Sequence, residues 1–290
     1  MRVGLFPGQG ISADVALEGL PERDPLIHEA REVLGYDLRK KVAIAARRAQ
    51  ASLPTSIAQP AIFLAGVIAW RSRAGGDGFD YLAGHSLGEY TALVAAESIS
   101  FRDALGVVAV RGAAMQDASR ENPGGMAAVL GLDLDLAQTI ADKANVQVAN
   151  DNAPGQVVLA GSDDGLAEAA GLVRSSGGRA VLLDVSGPFH TDAMAPAVPA
   201  LRDALGRVEL HPPRIAVVSN VTARPYGDVA EIRSLLADQV VTRSRFRESL
   251  EWLAGKGVDQ FEDLGPGRVV AGLAQRTFST LRKEKEAAGA

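Results

Sequence analysis

The sequence predicts an α/β protein: a mainly parallel, helix-covered sheet with a smaller unit of strands and helices inserted into it. Three observations carry this. Short apolar runs near residues 3–6, 81–83, 215–219 and 260–264 are separated by long stretches of helical spacing, the alternation that builds parallel sheets. Residues 124–189 instead run strand, helix, strand, strand, helix, strand. Finally, 47% of the 290 residues are hydrophobic, enough for a sizeable core.

The first strand, 3–6, enters Pro7-Gly8-Gln9-Gly10, a turn at the carboxyl end of a parallel strand, where ligands bind in such sheets. Gln9 there is either a ligand-facing amide or a polar loop residue bonded to its own turn. A mostly helical region follows through Tyr36 and Trp70, with Pro60 expected in a first helical turn, where proline is tolerated. Gly75-Gly76-Asp77-Gly78 reads as the loop before the next strand.

That strand leads into Gly84-His85-Ser86-Leu87-Gly88-Glu89-Tyr90. It is the G-x-S-x-G pattern between strand and helix, in which a tight turn pushes one hydroxyl out toward a cleft. A Cβ at Gly84 or Gly88 would crowd the turn, and the helix start leaves amide hydrogens free near Ser86 to hold an oxyanion.

Ser100 with Asp103 three residues on is a capping signature for a helix through Leu105, Val108 and Met115. Arg111 falls on the apolar side of that helix. A guanidinium facing inward needs an anion. Either an internal carboxylate such as Glu97 or Glu121 supplies it, or a substrate carboxylate beside Ser86 does.

Within 124–189 the expected elements are a strand at 126–130, a helix at 134–143, strands at 146–149 and 156–160 joined through Asn152-Ala153-Pro154-Gly155, a helix at 165–175 and a strand at 180–185. This is the order of a ferredoxin-like module. The chain therefore divides into a large subdomain, 1–123 and 190–290, and a small inserted one, 124–189, with a cleft between them as the natural site.

The module ends in Ser186-Gly187-Pro188-Phe189-His190. A serine nucleophile needs a base. Of the 4 histidines, His28 sits on a charged helix, His85 shares the elbow and should point away, and His211 precedes two prolines, which leaves His190 by elimination. The last third reads as a helix at about 195–205, a strand at 215–219, a polar turn at Asn220-Val221-Thr222, helices at 232–240 and 246–253, and a final strand at 260–264 before Gly265-Pro266-Gly267 and another helix. The tail Lys283-Glu284-Lys285-Glu286 is expected to be disordered.

Composition excludes several classes. With 0 cysteines there is no disulfide frame, thiolate nucleophile or cysteine-ligated metal, and the scattered histidines have no ligand spacing, so no metal is expected. A net charge of -5 argues against a nucleic-acid partner. No stretch approaches the ~20 apolar residues of a membrane span, and Met1-Arg2 runs straight into a strand without a secretory signal. A cytoplasmic monomer without a membrane partner is the expectation.

Taken together, Gly8-Gln9-Gly10, Gly84-His85-Ser86-Leu87-Gly88-Glu89-Tyr90, Arg111-Gly112 with Met115-Gln116, Asn152-Ala153-Pro154-Gly155-Gln156, Gly187-Pro188-Phe189-His190 and Gly265-Pro266-Gly267 resemble the malonyl-CoA:acyl carrier protein transacylase family of fatty acid and polyketide synthesis. The markers come in the family's order and cover nearly the whole chain. The resemblance implies an α/β-hydrolase-like large subdomain, Ser86 as acyl nucleophile, His190 as its base, and Arg111 paired with the malonyl carboxylate. It implies an oxyanion hole from the backbone amides of Gln9 and Leu87, and a main-chain carbonyl from the region of Gln239 to orient His190. Phe189 before the histidine is similar to the malonyl-type pattern, where bulk leaves little room for a branched acyl group. The implied partners are a coenzyme A thioester and an acyl carrier protein, both substrates, with no cofactor.

Two departures stand out. Ile11-Ser12 follows the Gly-Gln-Gly where the family usually has serine or alanine and a second glutamine, and Thr242-Arg243-Ser244-Arg245-Phe246 replaces a Pro-Val before an aromatic. Both could alter the acyl group preferred. Rival readings are an acyl hydrolase with the same Ser-His pair, a trans-acting polyketide acyltransferase for a branched extender, and a non-catalytic carrier-docking subunit. Arg243, Arg245 and Arg247, or Arg39, Lys40, Lys41, Arg47 and Arg48, are candidate docking cations for an acidic carrier, with an ordinary solvated face as the alternative.

Overall fold

A computed structural model describes residues 1–47, 53–73 and 78–289. The fold is mixed α/β, with a parallel sheet and a separate antiparallel one. In chain order the elements are β1 (Arg2–Phe6), α1 (Ala13–Glu18), α2 (Pro25–Leu34), α3 (Leu38–Arg47), α4 (Thr55–Ser72), β2 (Tyr81–Gly84), α5 (Gly88–Ala95) and α6 (Phe101–Glu121). The second sheet's unit holds β3 (Gly125–Leu130), α7 (Leu134–Lys143), β4 (Gln147–Ala153), β5 (Gln156–Gly161), α8 (Asp163–Ser175) and β6 (Arg179–Leu183). A 3-10 segment (Asp192–Ala197) then precedes α9 (Val198–Gly206), β7 (Ala216–Val218) and α10 (Val229–Asp238). A 3-10 turn (Gln239–Val241), α11 (Phe246–Gly255), β8 (Gln260–Asp263) and α12 (Val269–Gly289) complete the chain.

The parallel sheet has the order β7-β2-β1-β8. Both of its inner strands, β1 and β2, are buried along nearly their whole length, as a sheet covered on both faces requires. The turns after β1 and β2 therefore open side by side, since Phe6 is in register with Gly84. Helix α4 is apolar almost all round and buried from Ala58 to Ile68, so it lies inside the body. Pro60 does not stand in its first turn: the helix starts at Thr55, and Pro60 is interior. Its missing N–H leaves the Ser56 carbonyl without a helical donor.

The antiparallel sheet has the order β4-β5-β3-β6, the ferredoxin-like arrangement. Period-two alternation decides which side chains go where. Ala127 and Val129 of β3 with Val157 and Leu159 of β5 pack in one cluster with residues of α7 and α8. Met126 and Ala128 with Val158 and Ala160 face the main core of the other layer. Each fully buried leucine or valine in these faces contributes about 1.5–3 kcal/mol.

Some expectations need correction. Strand β4 runs on through Ala153, with bulges after Val148 and Asp151, so Asn152 and Ala153 belong to the strand and Pro154-Gly155 alone make the turn. Strand β6 stops at Leu183. The Lys283–Glu286 tail is helical as the end of α12, because Lys, Glu and Ala are good helix formers even where nothing packs on them. The segment expected at 195–205 begins as a 3-10 turn at Asp192. The loop residues Gly75, Gly76 and Asp77, and Arg48, lie outside the described residues.

Candidate active site

Ser86 stands between β2 and α5 with φ +50, in the left-handed region. For a serine that backbone costs about 1–2 kcal/mol, so the surroundings must hold it. The glycines on either side make the turn possible. A Cβ on Gly84 would lie 1.9 Å from the Gly88 carbonyl carbon, and one on Gly88 would lie 2.2 Å from the Phe6 carbonyl oxygen. The neighbouring turn closes on the elbow in the same way, because a Cβ on Gly8 would meet the His85 carbonyl oxygen at 2.5 Å. Gln9 is thereby brought beside Ser86. Among the described residues, neither the Gln9 nor the Leu87 backbone N–H has a backbone or side-chain acceptor. Both are free to donate to a ligand.

The Ser86 hydroxyl meets His190 Nε2 at 2.8 Å, and His190 Nδ1 is 2.8 Å from the Gln239 carbonyl oxygen. With Nδ1–H donating to that carbonyl, Nε2 is left as an acceptor for the serine proton. His190 also takes a left-handed backbone, φ +61, on leaving the Gly187-Pro188 turn. Burial, and then the positive charge of Arg111, push its pKa down to about 3. The imidazole is therefore neutral at physiological pH, the form that can accept a proton. Among the described residues no carboxylate pairs with it.

Arg111 is 1% exposed and reaches the same point from α6. Its Nη2 donates to Ser86 Oγ at 3.0 Å and to Gln239 Oε1 at 2.8 Å, while Nη1 donates to Gln59 Oε1 at 2.6 Å. All three acceptors are uncharged. Glu97, one internal candidate, pairs with Arg214 at 3.0 Å, and among the described residues Arg111 makes no ion pair, with Glu121 or any other acid. Among the described residues its Nε–H has no hydrogen-bond partner. Burial lowers the pKa of Arg111, opposed by the attraction of Tyr90 and Glu89. Glu89 is the buried acid on α5, but its own carboxylate is spent on the Asn220 N–H at 2.6 Å and on the Tyr226 hydroxyl. Burial moves Glu89 up to about 7, so it offers only part of a charge.

A cavity of about 360 Å3 opens onto Ser86 and His190 between the two layers. Gln9, Phe189, Met115, Asn150, Asn152 and Gln156 are among the residues that line it. His85 points away from Ser86, as the elbow requires, and meets Asn152 Oδ1 at 2.7 Å through Nε2. The Gln9 amide is anchored instead of free: its Oε1 accepts the Thr55 hydroxyl at 2.8 Å, and Thr55 Oγ1 accepts Gln59 Nε2 at 2.9 Å.

The structure thus brings Ser86, His190, Arg111, Gln9, Leu87, Phe189 and Gln239 together. The sequence reading missed Gln59, Asn220, Glu89 and the side chain of Gln239. Gln59 and Glu89 each had a signal, a polar residue in a helix otherwise apolar all round. Arg243 and Arg245 line a second cavity, of about 590 Å3, that also reaches His190. These two and Arg247 are already partnered: Arg245 by Glu248, Arg243 by Glu248 at 3.9 Å, and Arg247 by Asp151 at 2.8 Å and Glu251 at 2.6 Å.

A parallel sheet with a G-x-S-x-G elbow, its serine in contact with an imidazole and a guanidinium, defines the class of serine-dependent acyl-transfer α/β proteins. The profile of the acyl transferase domain matches residues 30–288, and the chain belongs to that family. It is similar to the malonyl CoA-acyl carrier protein transacylase of Bacillus subtilis, with 37% identity over 289 residues, 96% of this chain and 90% of that protein. A solved acyl-carrier-protein S-malonyltransferase from Burkholderia pseudomallei superposes with a TM-score of 0.84 at 38% identity, over 95% of this chain and 92% of that one. A malonyl-transacylase solved in complex with its type II PKS acyl-carrier protein gives a TM-score of 0.85 at 34% identity, over 96% and 93%. Among the described residues, no helix is long and apolar enough to cross a membrane.

Proposed function

We propose that this protein moves a malonyl group from coenzyme A to the phosphopantetheine thiol of an acyl carrier protein through an ester on Ser86. The observation that carries the reading is Arg111: a buried guanidinium 3.0 Å from Ser86 Oγ whose hydrogen-bond acceptors among the described residues are all neutral. A simple esterase has no need of an unneutralised interior cation at its serine. An acyl group that ends in a free carboxylate does.

In the first half-reaction the Ser86 oxygen attacks the thioester carbonyl carbon while His190 Nε2 takes its proton. The oxyanion is held by the Gln9 and Leu87 N–H groups, each such donor being worth about 3 kcal/mol. Collapse breaks the carbon–sulfur bond, and His190 returns the proton to the leaving thiolate. The second half-reaction runs the same steps with the carrier thiol as nucleophile, His190 removing its proton, and Ser86 as leaving group. The Gln239 carbonyl steadies the imidazolium formed in each, so no acidic third residue is required, and no cofactor enters. Arg111 exchanges the Ser86 and Gln239 oxygens for the malonyl carboxylate. Phe189 lines the cavity, and its bulk supports malonyl over a branched extender. A cytoplasmic monomer serving a separate carrier is the setting that fits this chemistry.

The test offers the enzyme a mixture of malonyl-, methylmalonyl- and acetyl-CoA and reads the mass added at Ser86, with Arg111→Ala alongside. Malonyl should dominate in the wild type. In Arg111→Ala the preference over acetyl should fall by about 10- to 150-fold, the equivalent of one charge-assisted pair of ~1.5–3 kcal/mol. Dicarboxylic selectivity that survives the substitution removes Arg111 from the proposal.

A further inference from the structure

Asn220 follows β7 in a polar turn and is fully buried. Its side chain makes no bond within its own turn, as a loop asparagine ordinarily would. Each of its polar atoms is spent on the elbow or on the segments that brace it. Oδ1 accepts the Ser86 N–H at 2.7 Å and the Ser244 hydroxyl at 3.1 Å, and Nδ2 donates to the Gly84 carbonyl at 2.7 Å. The Asn220 N–H donates to Glu89 Oε1 at 2.6 Å, and its carbonyl accepts the Arg245 N–H at 2.8 Å.

We propose that Asn220 is a positioning residue for the reaction at Ser86, fixing the peptide groups on either side of the strained elbow, and that Ser244 ties it to the cleft wall. The proposal rests on Ser86 as nucleophile. Three consequences of the geometry support it. The Ser86 N–H is turned into the protein, which leaves the Leu87 N–H as the elbow's donor toward the cleft. The left-handed Ser86 is clamped at both ends, by Asn220 on its N–H and by Gln239 Nε2, 3.0 Å from its carbonyl. Ser244 is the hinge to the other layer: its N–H donates to the Ala149 carbonyl at 2.9 Å and its carbonyl accepts the Asp151 N–H at 2.8 Å. The strand that carries Asn150 and Asn152 into the cavity is thus held in register with the nucleophile through one hydroxyl and one amide.

Loss of the amide frees Gly84 and Ser86 to rotate, and Oγ leaves the line to His190. The test uses Asn220→Ala and the isosteric Asn220→Asp. It measures the rate at which a fluorophosphonate labels Ser86, a step in which Oγ displaces fluoride from phosphorus and His190 takes the proton. No malonyl group is involved, so failure of the proposed substrate and failure of this proposal are separable. Kinetics of malonyl transfer and the folded fraction by circular dichroism are followed in parallel.

In Asn220→Ala the labelling rate should fall about 100-fold, the cost of misplacing a reacting atom by about an ångström. The KM for malonyl-CoA should change by less than about threefold, since the loss falls on kcat. In Asn220→Asp the neutral carboxyl can accept from Ser86 and donate to Gly84, whereas the ionised one cannot donate. Burial favours the neutral form. So does the Glu89 carboxylate on the residue's own N–H, with Tyr226 behind it. Arg111 across Ser86, and Arg245, whose guanidinium contacts the carbonyls of Val221 and Thr222, favour ionisation. Labelling of this variant should stay within about tenfold of wild type near pH 5.5 and decline as pH rises, while wild type does not decline. Wild-type labelling in Asn220→Ala, a loss that merely follows the folded fraction, or a wild-type pH profile in Asn220→Asp would overturn the proposal.

Discussion

Replacing Gln59 by glutamate sets an acid where the amide oxygen now lies 2.6 Å from Arg111 Nη1. The change is isosteric. The second carboxylate oxygen replaces Nε2, which donates to Thr55 Oγ1 at 2.9 Å, and the Thr55 hydroxyl can turn from Gln9 to donate to it. Beside an otherwise unneutralised guanidinium the new carboxylate stays ionised despite its burial. The cation is then satisfied from within, and a malonyl carboxylate gains no more than a neutral acceptor would. The forfeited charge-assisted bond is worth ~1.5–3 kcal/mol, or about 10- to 150-fold in kcat/KM for malonyl-CoA. Acetyl-CoA carries no carboxylate and should lose far less, so the ratio of the two specificity constants is the quantity to measure. Gln59→Met, which removes the anchor without adding charge, serves as control. A malonyl-to-acetyl ratio that is unchanged in Gln59→Glu would refute the account of why Arg111 is held by amides.

Two more outcomes follow from the same geometry. Gly88→Ala sets a Cβ 2.2 Å from the Phe6 carbonyl oxygen, a main-chain atom, with nothing flexible to give way. It should cost more than ~3 kcal/mol in thermal or urea unfolding, and an unaltered Tm would discredit the packing of the elbow. His190 is held near 3 in the folded chain against an ordinary value of 6.5, so unfolding takes up a proton below pH 6.5. Its effect on stability is absent above that pH and grows as pH falls toward 3, by about 1.4 kcal/mol per unit. Between pH 7 and 5 the wild type should therefore lose ~2 kcal/mol relative to His190→Gln in urea titrations, while the labelling rate of the folded wild type stays level; parallel stability curves would count against a neutral buried imidazole.

The parts legible in the sequence are those fixed by neighbours in the chain. The elbow declares itself because Gly84 and Gly88 flank Ser86, and the start of α6 because Ser100 caps the Asp103 N–H. The order β4-β5-β3-β6 follows from the order of elements along the chain, since right-handed crossovers leave few alternatives. The illegible parts join residues far apart. The contacts Ser86 to Asn220 and Ser86 to Gln239 close loops of 134 and 153 residues, and no local pattern announces them. Pro60 misled because a buried helix with apolar residues on every side has no periodicity to mark its start. The pairing of Arg243, Arg245 and Arg247 went unread for a different reason. The acids that pair with Arg245 and Arg247 on their own helical segment, Glu248 and Glu251, stand three and four residues on, so charge counted by sign alone overstates what is free to meet a partner.

The chemistry explains why amides, and not acids, surround the reacting groups. An aspartate in place of the Gln239 carbonyl would support His190 more strongly as it charges, but it would stand close to Arg111 and neutralise it. The acyl group's carboxylate would then compete with the protein's own for Arg111. Gln59, Gln239 and Asn220 avoid this conflict by supplying fixed dipoles with no net charge. The arrangement has a cost: burial first, and then the charge of Arg111, lower the affinity of His190 for a proton. That cost falls on the empty site. In the proposed reaction an anionic acyl group against Arg111 lessens the net charge felt by the imidazole, and its pKa rises by that share of the shift. On that proposal a substrate that brings its own carboxylate strengthens the base that will act on it, whereas acetyl leaves the share due to Arg111 in place.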